Sequence, residues 1–405
     1  MFSIGVLEFL HSRNLIHDCS SGDLASILNQ EPITLYMGVD PTALGFHLGH
    51  LFALRVLSVF QRFGHRVILV IGGATGLVGD PTGRDTSRRQ LSSEEVTKNA
   101  QSLQAELEIL GLLSFTGENP ALLLNNAVWL GEMSFLHDFM PLAFQFSVNA
   151  MLKMTTFSSR LEAEKPLSLG ELIYPVMQAW DFLVLCREYQ CTLQVGGQDQ
   201  WPNILWGVHI IKSLENVPTF GLTFPLLLDQ EGKKMGKTSE GETLWLDPTR
   251  TTPLKMFQYV QGFPDQIVWS TFLRMTDLTL KEIETVAKNP RDAQLRLAFE
   301  IVKLVHGDRV ARETFQDFQD LASGASSSSV PKICVQFPVT LVSCLVDFDA
   351  LLSKREVRQL IQGGAVWILD DSEKPPKIYD IFFEVTELCV IRYSKNKFLR
   401  ITTTE

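Results

Sequence analysis

Three short runs constrain the fold more than anything else in the chain. "ITLYMGV" (33–39), "RVILVIGG" (66–73) and "CTLQVGG" (191–197) are largely apolar, do not alternate cleanly, and carry or end in glycine. A strand with one wet face alternates, whereas a strand apolar throughout is buried on both faces. Between the first two runs, "LGHLFALRVLSVFQRFG" (48–64) predicts a helix closed by Gly64. After the second, "SSEEVTKNAQSLQAELEILG" has a capping box, Ser92 with Glu95, and Val96, Ala100, Leu103, Leu107 and Leu110 at helical spacing. A further helix-like run lies near "GVLEFLHSRNLI". Strand, helix, strand, helix predicts an α/β fold with a Rossmann-like parallel sheet covered on both faces. Ligands on such sheets bind beyond the carboxyl ends of the strands. The glycine-rich ends after residues 38, 71 and 195 are therefore predicted to meet at one site.

Composition bounds the rest. The 405 residues carry a net charge of -10 and are 45% hydrophobic, which fits two or three globular domains and excludes a disordered chain. The acidic balance argues against a protein that coats nucleic acid over its whole surface, but leaves a local RNA-binding face open. "SGASSSSVP" (323–331) is too poor in apolar groups to pack and reads as a linker. The tail beyond it holds ten basic and ten acidic residues, so the whole net charge resides in the body. The six cysteines are scattered without a C-x-x-C pair, which favours a reducing cytoplasm over a disulfide framework or zinc ribbon. The N-terminus lacks a signal-peptide pattern, and no 18-residue apolar stretch predicts a membrane span.

Two stretches carry chemistry. "VDPTALGFHLGH" (39–50) places His47 and His50 three residues apart, just where the helix is predicted to begin. That pair is open to three readings: a metal site, an ordinary helix start, or a nucleotide cradle. No carboxylate or cysteine completes a ligand set at suitable spacing. A cradle would use Gly49, which has no side chain to block a flat base, and the helix N-terminus, which offers free N–H groups to phosphates. The second stretch, "DQEGKKMGKTSEGET" (229–243), holds Lys234, Lys237 and Thr238 in a glycine-containing loop. Alone it reads equally as a solvated loop. Paired lysines also suit a pyrophosphate gaining charge as it leaves.

Taken together, "HLGH" and "KMGKT" resemble the His-Ile-Gly-His and Lys-Met-Ser-Lys-Ser motifs of class I aminoacyl-tRNA synthetases. "LYMGVDPTA" (35–43), "GDPTGR" (79–84), "YPVMQAWDF" (174–182) and "VGGQDQWPNI" (195–204) narrow the resemblance to bacterial-type tyrosyl-tRNA synthetases, in the expected order over nearly the whole chain. The resemblance implies a Rossmann-like catalytic domain over 1–225, a lysine-loop and helical tRNA-binding region over 226–322, the linker, and an RNA-binding domain over 332–405. In that last part, "LLSKREVRQLIQGGAVWI" (351–368) is similar to a small RNA-binding module named for a ribosomal protein. The implied reaction is activation of L-tyrosine by ATP, with Mg2+, to tyrosyl-adenylate and pyrophosphate, followed by transfer to the 3′ end of tRNA(Tyr).

The same resemblance implies roles. Thr42 and His47 hold the departing pyrophosphate; His50 and Gly49 lie against the nucleotide; Lys234, Lys237 and Thr238 close over the phosphates. Gly38, Asp40, Gly197 and Asp199 belong to the ATP side, with Gly197 and Asp199 facing the ribose. Tyr36 and Asp181 supply donor and acceptor to the substrate phenol. Asp80, Tyr174 and Gln178 accept from its ammonium, and Gln200 lies at its carboxylate or the α-phosphate. No metal ligand set and no prosthetic group is expected. Met37, Gln198, Pro202, Gly236 and Ala150 depart from the family pattern, and Pro202 removes a backbone donor. A homodimer is expected, with "VWLGEMSFLHDFMPLAFQF" (128–146) either at its interface or in the core. Two competing readings are a tryptophanyl-tRNA synthetase and a non-catalytic RNA-binding relative. A phenol needs both a donor and an acceptor, whereas an indole N–H needs only an acceptor, so Tyr36 with Asp181 favours tyrosine.

Overall fold

The computed structural model describes residues 4–83, 89–227, 243–322, 332–348, 352–369, 376–393 and 398–403. The chain divides into two compact units. Among the described residues, the first comprises those up to 227 together with 243–250 and 266–285; the second comprises 251–265 and those from 286 onward. Region 226–322 thus contributes to both units.

The first unit is built on a six-stranded sheet. Its strands are β1 (Asp18–Cys19), β2 (Thr34–Val39), β3 (Arg66–Ile71), β4 (Leu122–Asn125), β5 (Cys191–Gly197) and β6 (Phe220–Phe224), in the order β1-β6-β5-β2-β3-β4. The five strands β6 to β4 are parallel, as the apolar runs of β2, β3 and β5 predict, with Thr34 opposite Arg66 and Val39 opposite Ile71. The two-residue strand β1 joins the edge antiparallel to β6, so the sheet is mixed rather than purely parallel. The chain runs outward from β2 through β3 to β4, then returns to the other side of β2 for β5 and β6. The order reverses between β2 and β5, and a crevice opens where the connections diverge at such a point.

Helices cover the sheet as their patterns dictate. Leu48–Arg62 buries its apolar side and is followed by Gly64 at φ +92, a conformation that favours glycine. Ser93–Leu110 starts with the predicted Ser92–Glu95 box, buries Val96, Ala100, Leu103, Leu107 and Leu110, and ends at left-handed Gly111. Leu169–Tyr189 is apolar and long enough to cross a membrane by length and composition alone. Here its Ala179, Phe182, Leu183 and Leu185 are fully buried in the core with Tyr36 and Ile68. Buried Arg160 pairs with Glu171 at 2.6 Å and braces the entry to that helix. Pro202 falls in the first turn of Trp201–Glu215, where its missing N–H would have no intrahelical partner. The donor expected to be lost there is therefore not missed.

The second unit contains the helices Pro253–Gln261, Pro290–His306 and Asp308–Ala322, with Phe257 packed on Phe315 and Phe318. It also contains a five-stranded sheet. The strands of this part are β7 (Lys332–Val335), β8 (Val339–Thr340), β9 (Val366–Leu369), β10 (Lys377–Ile378), β11 (Glu384–Val385), β12 (Cys389–Arg392) and β13 (Phe398–Thr403). The sheet order is β10-β9-β12-β13-β7, and β8 pairs with β11 separately. A core of Leu345, Val357, Ile361, Val366, Ile391 and Leu399 lies beneath it. The helix Lys354–Gln362 begins with a Ser353–Glu356 box and leads through Gly363 and Gly364 into β9, an order of basic helix, glycine turn and strand.

Candidate active site

A cavity of about 360 Å³ opens in the first unit beyond the carboxyl ends of β2, β3 and β5, a size that suits a small organic ligand. It is lined by Tyr36, Gly38, Asp40, Thr42, His47, Gly49, His50, Asp80, Tyr174, Gln178, Asp181, Gly197, Asp199 and Gln200. These are all the candidate site residues except Lys234, Lys237 and Thr238, which lie outside the described residues, as does Gly236. The glycine-bearing ends of the three strands do meet there. A Cβ on Gly72 would fall 2.1 Å from Asp40 Oδ1 and 2.3 Å from Thr75 Oγ1, so a side chain there would push apart the Thr75–Asp40 hydrogen bond. A Cβ on Gly38 would meet nothing within 4 Å, so glycine there keeps the cavity wide.

One end of the cavity is built from buried side chains. The Leu169–Tyr189 helix presents Tyr174, Gln178 and Asp181 at spacings of four and three, hence on one face. Asp181 Oδ1 accepts from Trp129 Nε1 at 2.7 Å and Oδ2 from Asn126 Nδ2 at 3.0 Å. Burial pushes its carboxyl up to about 7; the two hydrogen bonds pull it down and Asp40 pushes it further up. Tyr36 stands close enough that Asp181, after burial itself, helps raise its phenol well above the usual tyrosine range. Its ring packs on Phe182 with centroids 5.3 Å apart, and its buried hydroxyl finds no protein partner. Leaving such a group unsatisfied costs about 1–3 kcal/mol, which a ligand able to bond it would recover.

Next to this end lies a polar network. Tyr174 donates its hydroxyl proton to Asp40 Oδ2 at 2.9 Å, and Thr75 donates to Asp40 Oδ1 at 2.7 Å. With its proton committed, the Tyr174 oxygen can only accept from a further partner. Gln200 Nε2 donates to Asp80 Oδ2 at 2.7 Å, and Asn203 Nδ2 donates to Gln178 Oε1 at 3.1 Å. Carboxylates and oriented oxygens gathered in this way suit a cation.

The opposite end is built on a turn and a helix start. His47 is the N-cap of Leu48–Arg62, and its Nδ1 accepts from Gly49 N at 3.1 Å. His50 Nδ1 accepts in return from His47 N at 3.2 Å. The two rings stack with centroids 3.8 Å apart. Acceptance at Nδ1 places each neutral ring's proton on Nε2, which makes that nitrogen a donor. Burial, with His47 beside it, lowers His50 to about 3, so it acts as a neutral donor. The helix-start reading holds, and it leaves room for the cradle: the histidines cap the helix through one nitrogen and carry a donor on the other. Among the described residues no cluster of three or more His, Cys, Asp or Glu side chains gathers as a metal site.

Three contributors are absent from the sequence-based set. Asn126 follows β4, a strand that "LLLN" did not disclose; its place beyond a carboxyl strand end is the signal that could have found it. Trp129 lies inside the stretch expected at an interface or in the core, yet its indole N–H reaches Asp181. Gln194 lines the cavity from β5, and its Oε1 is buried without a protein partner. Gln198, noted as a departure, accepts from Leu226 N at 3.3 Å, and Met37 lines the cavity.

The family described as "tRNA synthetases class I (W and Y)" matches residues 28–322. A tyrosine–tRNA ligase of Caldanaerobacter subterraneus subsp. tengcongensis is 37% identical over 376 residues, covering 91% of each chain. One from Clostridium kluyveri is 36% identical over 404 residues, covering 96% of this chain and 98% of the relative. Among solved structures, a C-terminally truncated mitochondrial tyrosyl-tRNA synthetase of Aspergillus nidulans superposes with a TM-score of 0.70 at 31% identity, covering 78% and 94% of the two chains. A tryptophanyl-tRNA synthetase of Encephalitozoon cuniculi superposes at 0.55 with 14% identity, a likeness of fold alone. With this sheet, this cavity and these relatives, the chain belongs to the class I tRNA synthetases, in the bacterial-type tyrosyl-tRNA synthetase family.

Proposed function

We propose that this chain activates L-tyrosine with ATP in the cavity beyond β2 and β5, then esterifies the 3′ end of tRNA(Tyr). The observation that carries the reading is the Tyr36 hydroxyl, buried without a protein partner and close to the carboxylate of Asp181. A phenol bound there accepts from Tyr36 and donates to Asp181. The ammonium lies among Asp80, Tyr174 and Gln178, with Gln200 holding Asp80 in place. The tyrosine carboxylate attacks the α-phosphorus of ATP, the bond to the bridging oxygen breaks, and pyrophosphate leaves. No side-chain base is needed, because the nucleophile is already ionised.

In this reading Gly38, Gly197 and Asp199 receive the nucleoside, and Asp40 orients Tyr174 from the same side. His50, with Gly49, lies along the nucleotide, while His47 and Thr42 meet the departing phosphates. Lys234, Lys237 and Thr238 add positive charge and a hydroxyl as charge develops there. Mg2+ enters with ATP as part of the nucleotide substrate.

The tail is assigned to tRNA. Lys354, Arg355 and Arg358 are exposed along one helix, and Arg392 and Arg400 lie on neighbouring strands; Lys395 and Lys397 fall outside the described residues. A homodimer is supported by the exposed apolar side chains Val128, Phe135, Leu136, Phe144 and Val148. Six cysteines free of disulfides suit a reducing cytoplasm. The test is ATP-dependent charging of tRNA with labelled tyrosine. Removing residues 332–405 is expected to depress charging while sparing tyrosine activation; unchanged charging would remove the tail's role. Sedimentation at micromolar concentration should give twice the chain mass, and a monomer would refute the dimer.

A further inference from the structure

Among the described residues, the helix Ser93–Leu110 contributes no side chain to the cavity, yet its polar face is tied to the loop that forms the phosphate end. Asn99 Nδ2 donates to the Pro41 carbonyl at 2.9 Å, and Ser102 Oγ to the Leu44 carbonyl at 2.6 Å. Glu106 Oε2 accepts from Phe46 N at 2.8 Å. Positions 99, 102 and 106 share one helix face. Their partners run in order along the segment from Pro41 to Phe46, which holds Thr42 and leads directly into His47. All three bonds go to backbone, so they set where the loop lies whatever its side chains are.

Glu106 makes a second connection. The backbone N–H of Asp247, like that of Phe46, faces its buried carboxyl group and favours the charged form, and Oε1 has no hydrogen-bond partner. Residues 244–246 return from the lysine-bearing stretch and pair with the histidine motif. Leu48 N donates to the Leu244 carbonyl and Leu246 N to the Phe46 carbonyl, each at 2.9 Å. A Cβ on Gly45 would lie 2.8 Å from Glu106 Oε2 and 3.0 Å from Arg250 Nη1, so the loop backbone is pressed against both groups. Arg250 in turn pairs with Asp247 at 3.6 Å.

We propose that Asn99, Ser102 and Glu106 are positioning residues for ATP. They hold the Pro41–Phe46 loop, and Glu106 fastens it to the segment at Asp247, so that the loop keeps its place leading into His47. The proposal rests on the assignment of His47 to the phosphates. It predicts an effect confined to ATP, because the three residues bond the loop backbone and not the side chains around Tyr36 and Asp181.

The full chain is assayed by ATP–pyrophosphate exchange at saturating tyrosine, and tyrosine binding by equilibrium dialysis without ATP. Glu106→Leu is expected to lower kcat/KM for ATP by about thirtyfold, with the tyrosine Kd within about twofold of wild type. Glu106→Gln keeps an acceptor oxygen and should stay within about threefold of wild type. Asn99→Ala and Ser102→Ala should each cost about threefold in the same parameter. An unchanged ATP parameter in Glu106→Leu, or an equal loss of tyrosine affinity, overturns the proposal. If Glu106→Leu does not fold, the Asn99 and Ser102 variants decide by the same two readouts. His47→Asn separates the two claims. No effect on ATP kinetics there refutes the phosphate assignment itself, whereas a loss there with none in the helix variants refutes only the positioning role.

Discussion

The two ends of the cavity are made differently. Around Tyr36 and Asp181 the surfaces are buried side chains from β2, the loop after β4 and the Leu169–Tyr189 helix, held by hydrogen bonds that exist before any ligand arrives. Around His47 and His50 the working groups are a helix start, a turn and ring nitrogens that already serve the backbone. The difference follows from the tasks. Recognising a phenol needs one donor and one acceptor in a dry pocket, where an unpaired polar group is costly. Handling a leaving pyrophosphate needs many weak donors and positive charge aimed at spread-out negative charge. On the proposed assignment, selection of the amino acid belongs to the first end and rate to the second.

Substitutions should separate the ends. The largest effect is expected for Asp181→Ala, which lowers kcat/KM for tyrosine by about a hundredfold by removing a charged acceptor, with the KM for ATP little changed. A change of similar size in both substrates would erase the distinction. Tyr36→Phe should cost about tenfold for tyrosine and nothing for phenylalanine, since only a phenol uses that hydroxyl. Acidity gives a comparable effect. Asp181 takes up a proton near pH 7, so the ionised acceptor is present above that value and lost below it. Going from pH 8 to pH 6, kcat/KM for tyrosine should fall by about tenfold, and Asp181→Asn should lack that limb.

Trp129→Phe tests a smaller element of the same end. It removes a donor to the carboxylate, so tyrosine kcat/KM should fall by about fivefold and the acidic limb should move to higher pH. A limb that stays in place would show that the indole only fills space. The smallest effect is expected at the other end. Because His50 is held near 3, the profile of kcat/KM for ATP should show no histidine limb assignable to it between about pH 5 and pH 8. A limb abolished by His50→Gln would mean that it works as a cation.

Legibility in the sequence followed the same division between local and assembled features. The strands β2, β3 and β5 were readable because burial on both faces demands apolar runs, and the Ser92–Glu95 box because its partners are three residues apart. Strand β4, the antiparallel edge β1 and the pairing of residues 244–246 with the histidine motif left no such mark, since each depends on a partner far along the chain. The histidine pair showed by spacing that it belongs at a helix start, but not that each ring would cap it through Nδ1 and so carry its proton on Nε2. Asp181 is legible as a carboxylate set in the apolar run "AWDFLVL" (179–185). Its keepers, Asn126 and Trp129, are not, because an asparagine after a strand and a tryptophan in an apolar stretch have ordinary structural uses. The assignment of Tyr36, Asp80 and the lysine loop came from resemblance to a family rather than from spacing.

The measurement that bears most directly on the division between the two ends is exchange of labelled pyrophosphate into ATP without tRNA, run separately with tyrosine, phenylalanine and tryptophan. The geometry around Tyr36 and Asp181 predicts exchange with tyrosine and far less with either of the others. Equal exchange with phenylalanine would contradict recognition through the phenol, and exchange with tryptophan in place of tyrosine would overturn the pocket while leaving the phosphate end as described.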